Sequence, residues 1–336
     1  SFLRQVWLDG RRQAANFKPD VVIASSTYPM DIWVARRIAR LAKAKLVFEV
    51  HDLWPLSPIE LNGMSPGHPF IRVCQAAEDY AYRHADAVVS MLPKVAAHMA
   101  SHGLDLAKLV IVPNGISPEE WQVRRRPLDP ALFDHIAALR AQGRIVVGYA
   151  GSHGTPNALE TLLEAAHLLS AQPISIVMVG DGHEKQALQE RARALGLDNL
   201  KMFPPIPKQQ IPTFLAAVDI AYIGWQPVPI YRFGIAPNKL MDYMMAGLPV
   251  LHSVSAGNDP VADAGCGITV PPGDVAAVAN GLKRLAALTP EARRVMGEGG
   301  RAYVLANHVY PVLAARFLAP LASADKAQKF TRESIQ

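Results

Sequence analysis

The stretch Gly234-Ile235-Ala236-Pro237-Asn238-Lys239-Leu240-Met241-Asp242 carries the densest chemistry in the chain. Proline suits the first helical position, where its missing N–H costs nothing, so a helix is predicted to begin at Pro237. The N–H groups of Asn238 and Lys239 then lack partners inside the helix and point out of its start. With the Lys239 ammonium they form an anion site of the size a diphosphate fills. Asp242 lies three residues after Lys239 on the same face, where a carboxylate can accept two vicinal hydroxyls. By itself such a helix start is commonplace, and its chemistry needs partners from elsewhere.

Three other turns, each following an apolar run, offer partners. Gly148-Tyr149-Ala150-Gly151-Ser152-His153-Gly154 leads towards a helix, and Gly151, Ser152 and His153 are candidates to approach a phosphate closely. In Val179-Gly180-Asp181-Gly182-His183-Glu184, Gly180 and Gly182 either shape the turn or admit a ligand, with Asp181 or His183 as the helix cap. The loop Phe203-Pro204-Pro205-Ile206-Pro207-Lys208 is rigid. It either presents main-chain groups near Phe203 and Ile206 to a base edge or is a stiff connection.

Other chemistries find less support. His98 and His102 are four apart, a helical spacing that can hold zinc, but no third ligand is evident and Gly103 ends the helix, so no metal is expected. Cys74 and Cys266 lack C-x-x-C spacing, which points to a reducing compartment. No G-x-S-x-G elbow, Walker lysine loop or G-x-G-x-x-G fingerprint occurs. The net charge of +5 over 336 residues comes with no long basic block, so nucleic acid is not an expected partner. Residues 1–126 hold 16 Lys/Arg against 12 Asp/Glu, an excess compatible with an anionic membrane surface or with ordinary solvation.

The elements that must position these groups alternate between β-branched runs and helix-period runs, the pattern of parallel sheets flanked by helices. Strands are predicted at 20–25, 45–50, 86–90 and 109–112, then at 144–150, 175–180, 200–203, 219–224, 249–254 and 267–271. Helices are predicted near 30–43, 69–84, 93–102 and 130–141, with a helical tail interrupted near Tyr310-Pro311. Leu159, Leu162, Leu163, Ala166 and Leu169 form one apolar helical stripe, continued in the next helix by Leu188 and Ala192. Arg124-Arg125-Arg126-Pro127 reads as a linker. The first set of strands is short of the about six of a Rossmann half, so about two more are expected upstream of Ser1. No run reaches the roughly 18 apolar residues of a membrane span.

In order and spacing, these pieces resemble glycosyltransferase family 4, of the GT-B fold, and particularly its bacterial surface-polysaccharide branch. The matching segments are Lys18-Pro19-Asp20-Val21-Val22, Phe48-Glu49-Val50-His51-Asp52-Leu53-Trp54-Pro55, Val112-Pro113-Asn114-Gly115-Ile116, Tyr149-Ala150-Gly151 and Val179-Gly180-Asp181-Gly182. Pro237-Asn238-Lys239 through Asp242-Tyr243-Met244 to Ala246-Gly247-Leu248-Pro249 completes the series.

The resemblance implies two Rossmann-like domains facing across a cleft. Residues 1–126 would be an incomplete acceptor-side domain, 127–305 the nucleotide-sugar donor domain, and 306–336 a helical tail crossing back to the first. The implied reaction moves a sugar, hexosyl or N-acetylhexosaminyl, from a nucleoside diphosphate (UDP above others) to an acceptor hydroxyl with retention, needing no cofactor. The acceptor would be a glycan or lipid-linked saccharide, met in the cytoplasm with peripheral membrane contact at the inner face. His51 matches a histidine that faces the donor sugar, with Asp52 orienting it, and Asp242 matches a ribose-binding acid. Two departures stand out. The partner acid eight positions before Asp242 is here Gly234, and the usual basic pair after the first strand of the donor domain is absent. Lys239, helped by Arg232, is the candidate for that charge. A UDP-sugar 2-epimerase of the same architecture and a non-catalytic nucleotide-binding fragment are the alternatives.

Overall fold

Runs such as Leu46-Val47-Phe48 and Ile176-Val177-Met178-Val179 are apolar on both faces, as strands covered on both sides must be, and each lies inside a parallel sheet. The computed structural model describes residues 2–25, 27–122 and 126–322, which form two compact α/β units.

The first unit carries strands β1 (Val21–Ser25), β2 (Lys45–Val50), β3 (Ala87–Ser90) and β4 (Leu109–Ile111), side by side in that order and all parallel. Along this part of the chain run α1 (Phe2–Phe17), α2 (Asp31–Ala42), α3 (Leu56–Asn62), α4 (Pro69–His84) and α5 (Ala96–Ser101). Ile32, Phe48, Ala77, Tyr82, Val88 and Met99 are among the side chains of its core.

In the second unit a single turn, α6 (Glu119–Gln122), and α7 (Pro130–Ala141) precede six parallel strands: β5 (Ile145–Ala150), β6 (Ile174–Val179), β7 (Leu200–Phe203), β8 (Ile220–Gly224), β9 (Val250–Ser253) and β10 (Gly267–Val270). Between and after them run α8 (Leu159–Leu168), α9 (Lys185–Ala194), α10 (Ile211–Ala217), α11 (Asn238–Met245), α12 (Pro260–Asp263), α13 (Val275–Ala287) and α14 (Pro290–Asn307). The predicted stripe of α8 holds: Leu159, Leu162, Leu163 and Ala166 are fully buried against the sheet. The order β10-β9-β8-β5-β6-β7 reverses direction between β5 and β8. Ligands of open α/β sheets bind at such a switch point, beyond the carboxyl ends of the strands.

The division of the chain differs from the sequence reading. The first unit takes the chain up to Asn114, Val228–Ala236 and the chain from Pro311, while the second takes Gly115–Pro227 and Pro237–Tyr310. Packing explains the excursion. Ile230 and Phe233 are buried in the first unit's core, Phe233 O accepts from Lys94 N at 2.9 Å, and Asn114 Nδ2 donates to Ala236 O at 2.6 Å. The second unit begins at 115 and not 127 because Ile116 pairs with Val309 and its N–H reaches His308 O at 2.9 Å. Arg124 and Arg125 lie outside the described residues. Arg126 and Pro127 are held in the second unit, their carbonyls accepting from Thr213 and Gln210. The tail breaks as predicted, α14 ending at Asn307 and α15 (Tyr310–Leu318) starting at Tyr310. Among the described residues no helix is long and apolar enough to cross a membrane.

Candidate active site

α11 starts one residue later than predicted. Pro237 is its N-cap, in extended conformation and without a side-chain hydrogen bond, so Asn238, Lys239 and Leu240 supply the first turn. Their N–H groups emerge where an anion gains from both hydrogen bonding and the dipole. Leu240, Met241 and Met244 bury the opposite side.

The Lys239 side chain runs to the end of β5. Its ammonium donates to Tyr149 Oη at 3.1 Å and to Asn157 Oδ1, and stands 4.9 Å from the Tyr149 ring centre. Both partners are neutral, and among the described residues no carboxylate forms an ion pair with it. Burial lowers its pKa to about 8, leaving it charged at neutral pH but short of counter-charge. Tyr149 in turn donates to Ser152 O at 2.6 Å, which also accepts from Asn157 Nδ2 at 3.0 Å. Tyr243, on α11, bridges Ala150, accepting from its N–H at 2.9 Å and donating to its carbonyl at 3.2 Å. The turn after β5 and the start of α11 are therefore one hydrogen-bonded assembly.

Asp242 lies further along the same helix. Among the described residues its carboxylate has no hydrogen-bond partner. Burial raises its pKa to about 6, against the opposing charge of Lys208 and with the field of Glu120 adding to the rise. A desolvated carboxylate without donors gains from hydroxyl ligands.

Behind this helix start, the turns after β5 and β6 and the proline loop enclose a hollow of about 300 Å³, lined by Gly151, Ser152, Gly180, Asp181, Pro205 and Ile206 among others. Phe203 lines a second hollow of about 510 Å³, sharing Pro205 and Ile206 with the first, so the proline loop is the wall between them. Gly180 and Gly182 answer a steric demand. A Cβ at Gly180 would lie 1.9 Å from Gly151 O, and one at Gly182 would lie 2.4 Å from His153 O. The two turns run backbone against backbone, with His153 N donating to Asp181 O at 2.7 Å.

His153 does not face the hollow. It is fully buried, its ring nitrogens have no hydrogen-bond partner, and burial with the nearby Lys185 charge lowers its pKa to about 4. It is a neutral packing group under the turn and not a surface for a ligand.

Known families match along most of this length. A family described as "Glycosyl transferase 4-like domain" matches residues 1–115, and one described as "Glycosyl transferases group 1" matches residues 144–287. The chain belongs to glycosyltransferase family 4. WcaI of Escherichia coli (strain K12), whose name places it among glycosyl transferases of colanic acid biosynthesis, is 24% identical over 247 residues, 69% of this chain and 56% of WcaI. The chain thus spans about half the length of that curated relative. Among solved structures, sucrose-phosphate synthase from Thermosynechococcus elongatus superposes with a TM-score of 0.70 at 18% identity, over 94% of this chain and 76% of that one. HepE of Anabaena, in complex with UDP and glucose, gives 0.68 at 18% identity, over 96% and 83%. The fold is that of the GT-B glycosyltransferases.

Four of the predicted site residues lie in the first unit. His51, just past β2, contacts Ser25 Oγ at 3.0 Å and Glu49 Oε2 at 3.4 Å through Nε2. Among the described residues the ring of His51 meets Ser25 and Glu49 and forms no hydrogen bond with Asp52, so the expected orienting contact is not made. Arg232 forms a two-pronged pair with Glu60, at 2.8 and 2.7 Å, and covers the Phe233 ring. Its charge is already matched within the first unit. Gly234 ends the turn at φ +105°, a conformation that side chains resist, so the missing acid is a backbone requirement as well as a missing side chain.

Tyr149, Asn157 and Tyr243 escaped the sequence reading. Tyr149 and Tyr243 look like core aromatics by periodicity. The available signal was that a buried tyrosine hydroxyl needs a partner, and here both find it at the β5 turn.

Proposed function

We propose that this chain transfers a sugar from a nucleoside diphosphate donor, UDP-linked, to an acceptor hydroxyl with retention of configuration. The observation that carries the reading is the pairing on α11 of a desolvated lysine without a carboxylate and a desolvated aspartate without a donor. A diphosphate on the open helix start would supply the first with its counter-charge, and ribose hydroxyls would supply the second. HepE's complex with UDP and glucose supports uridine as the nucleoside.

The bond from the sugar's anomeric carbon to the diphosphate breaks, and one to the acceptor oxygen forms on the same face. The acceptor proton passes to a departing phosphate oxygen. Charge that builds on the leaving group is met by the N–H groups of Asn238, Lys239 and Leu240 and by the Lys239 ammonium, a preorganised arrangement that needs no metal at this point. His51 keeps the donor-sugar role that the family resemblance implies, held by Ser25 and Glu49.

The proposed acceptor is a glycan or lipid-linked saccharide, used in polysaccharide synthesis at the inner face of the cytoplasmic membrane. Supporting this, one face of α1 exposes Leu8 among Arg4, Arg11 and Arg12, a set that suits an anionic surface.

The test is a thermal-shift screen of UDP-, GDP- and dTDP-sugars, followed by nucleotide-release assays with and without saccharide acceptors. Stabilisation by UDP-sugars and UDP release that requires an acceptor are expected. Release or isomerisation without any acceptor would instead indicate an epimerase, and binding without turnover a non-catalytic module.

A further inference from the structure

α4 and α5 bring together a second cluster of ionisable groups, in the first unit and outside the donor site. Gln75, Glu78 and Asp79 share one face of α4 through i, i+3 and i+4 spacing. His102 ends α5, and His98 lies one turn before it.

The amide nitrogen of Gln75 sits in a cup of three acceptors. It is 2.9 Å from Glu78 Oε2, 2.7 Å from Asp79 Oδ1 and 2.9 Å from His102 Nδ1. An amide has two protons, so it cannot serve all three. The contact between His102 Nδ1 and Asp79 Oδ1, at 3.0 Å, compounds the conflict. It needs a proton on Nδ1, and a nitrogen that donates cannot also accept from Gln75. Turning the amide over would set its carbonyl against two carboxylates, so the cup selects positive charge at its centre.

Compensating charge is otherwise sparse. Glu78 is only 2% exposed, and among the described residues no lysine or arginine lies within ion-pair distance of Glu78 or Asp79, only the two histidines. His98 Nε2 is buried without a hydrogen-bond partner, 4.0 Å from Glu78 Oε1. Tyr82 donates to that same oxygen at 2.7 Å, orienting the carboxylate as an outer-shell donor does around a metal.

We propose that Glu78, Asp79 and His102 bind a zinc-class divalent ion at the position the Gln75 amide now takes, with His98 completing the set. The ligand atoms of Glu78, Asp79 and His102 lie within 4.8 Å of one another, His98 Nε2 stands 4.0 Å from Glu78 Oε1, and the 3.0 Å from His102 Nδ1 to Asp79 Oδ1 approaches the about 3.3 Å edge of a tetrahedron with bonds of about 2.05 Å. Imidazole with carboxylate favours zinc over calcium or magnesium. Four protein ligands leave no open position, so the ion is structural, clamping α4 to α5. The His98 ring also lies 5.3 Å from that of Phe233, so the clamp stiffens the seat of Val228–Ala236.

The experiment is titration of the chelator-treated full chain with Zn²⁺ by calorimetry and with Co²⁺ by visible absorption. One tight equivalent and the intense band of four-coordinate Co²⁺ are expected. Asp79→Asn and His102→Gln should each weaken Zn²⁺ tenfold or more, while His167→Gln, at an exposed site in the other unit, leaves it unchanged. Both ligand positions are partly exposed, and circular dichroism checks that the variants fold. Gln75→Ala should tighten binding by removing the competing amide. Failure to bind one equivalent, or a wild-type isotherm in the Asp79→Asn/His102→Gln double variant, overturns the proposal. So does a Gln75→Ala protein that gains no affinity, since Gln75 would then be only a hydrogen-bond hub.

Discussion

Arg232 and Lys239 come from one short stretch of sequence yet meet opposite fates. Arg232 folds into the first unit, where Glu60 receives both prongs of its guanidinium and Phe233 lies beneath it. Lys239 folds into the second, among neutral acceptors, with burial pulling its pKa down to about 8. A cation with a matched carboxylate serves the fold. A cation desolvated without one is costly to the fold, and that cost is recovered when an anion binds.

Replacing Lys239 is the sharpest way to break this contrast. Lys239→Met should weaken UDP binding by tenfold or more in calorimetry while leaving the melting temperature unchanged or raised, because a poorly compensated buried charge is removed. Loss of melting temperature with UDP affinity intact would reverse the assignment.

Asp242→Asn should lower UDP affinity by about five- to tenfold, the neutral amide being a weaker acceptor for hydroxyls. The same pair predicts a pH profile. Lys239 is charged below about 8 and loses its charge as pH rises through that value, while Asp242 is charged above about 6 and loses its charge as pH falls through it. Affinity should therefore peak between these values. The alkaline limb should flatten in Lys239→Met, and the acid limb should change in Asp242→Asn.

Gly234→Ala tests the joint between the two regions. At φ +105° a side chain costs about 1–2 kcal/mol, seen as a lowered denaturation midpoint, with UDP affinity changed by less than about threefold. Arg232→Met should cost least, about 1 kcal/mol in view of the pair's solvent exposure, again with nearly unchanged UDP affinity. An Arg232 variant that lost UDP binding while remaining folded would return that side chain to the donor site.

The strands were legible because their chemistry is local. Val21–Ser25, Lys45–Val50 and Ile174–Val179 announce themselves as β-branched or aliphatic runs ending in polar turns. Asp129-Pro130 likewise marks the start of α7, the aspartate accepting from Ala131 N at 2.9 Å. The allegiance of Val228–Ala236 was not legible. Ile230 and Phe233 are apolar in any context, and nothing local says which of two cores takes them. His51 shows the same limit, since its contacts with Glu49 and with Ser25 of the neighbouring strand form only once β1 and β2 are paired.

For the helix that begins after Pro237, sequence alone determined the open start, the lysine and the aspartate on one face, because helix geometry and proline's missing N–H are properties of a few consecutive residues. Only the tertiary structure decided that Lys239 would lie beside Tyr149 and Asn157 without a carboxylate, and that Arg232 would be matched elsewhere. It alone also gathered Glu78, Asp79, His98 and His102 into one cluster. Charge compensation depends on which distant segments share a low-dielectric space, and that follows from packing whole elements together and not from the spacing of residues along the chain.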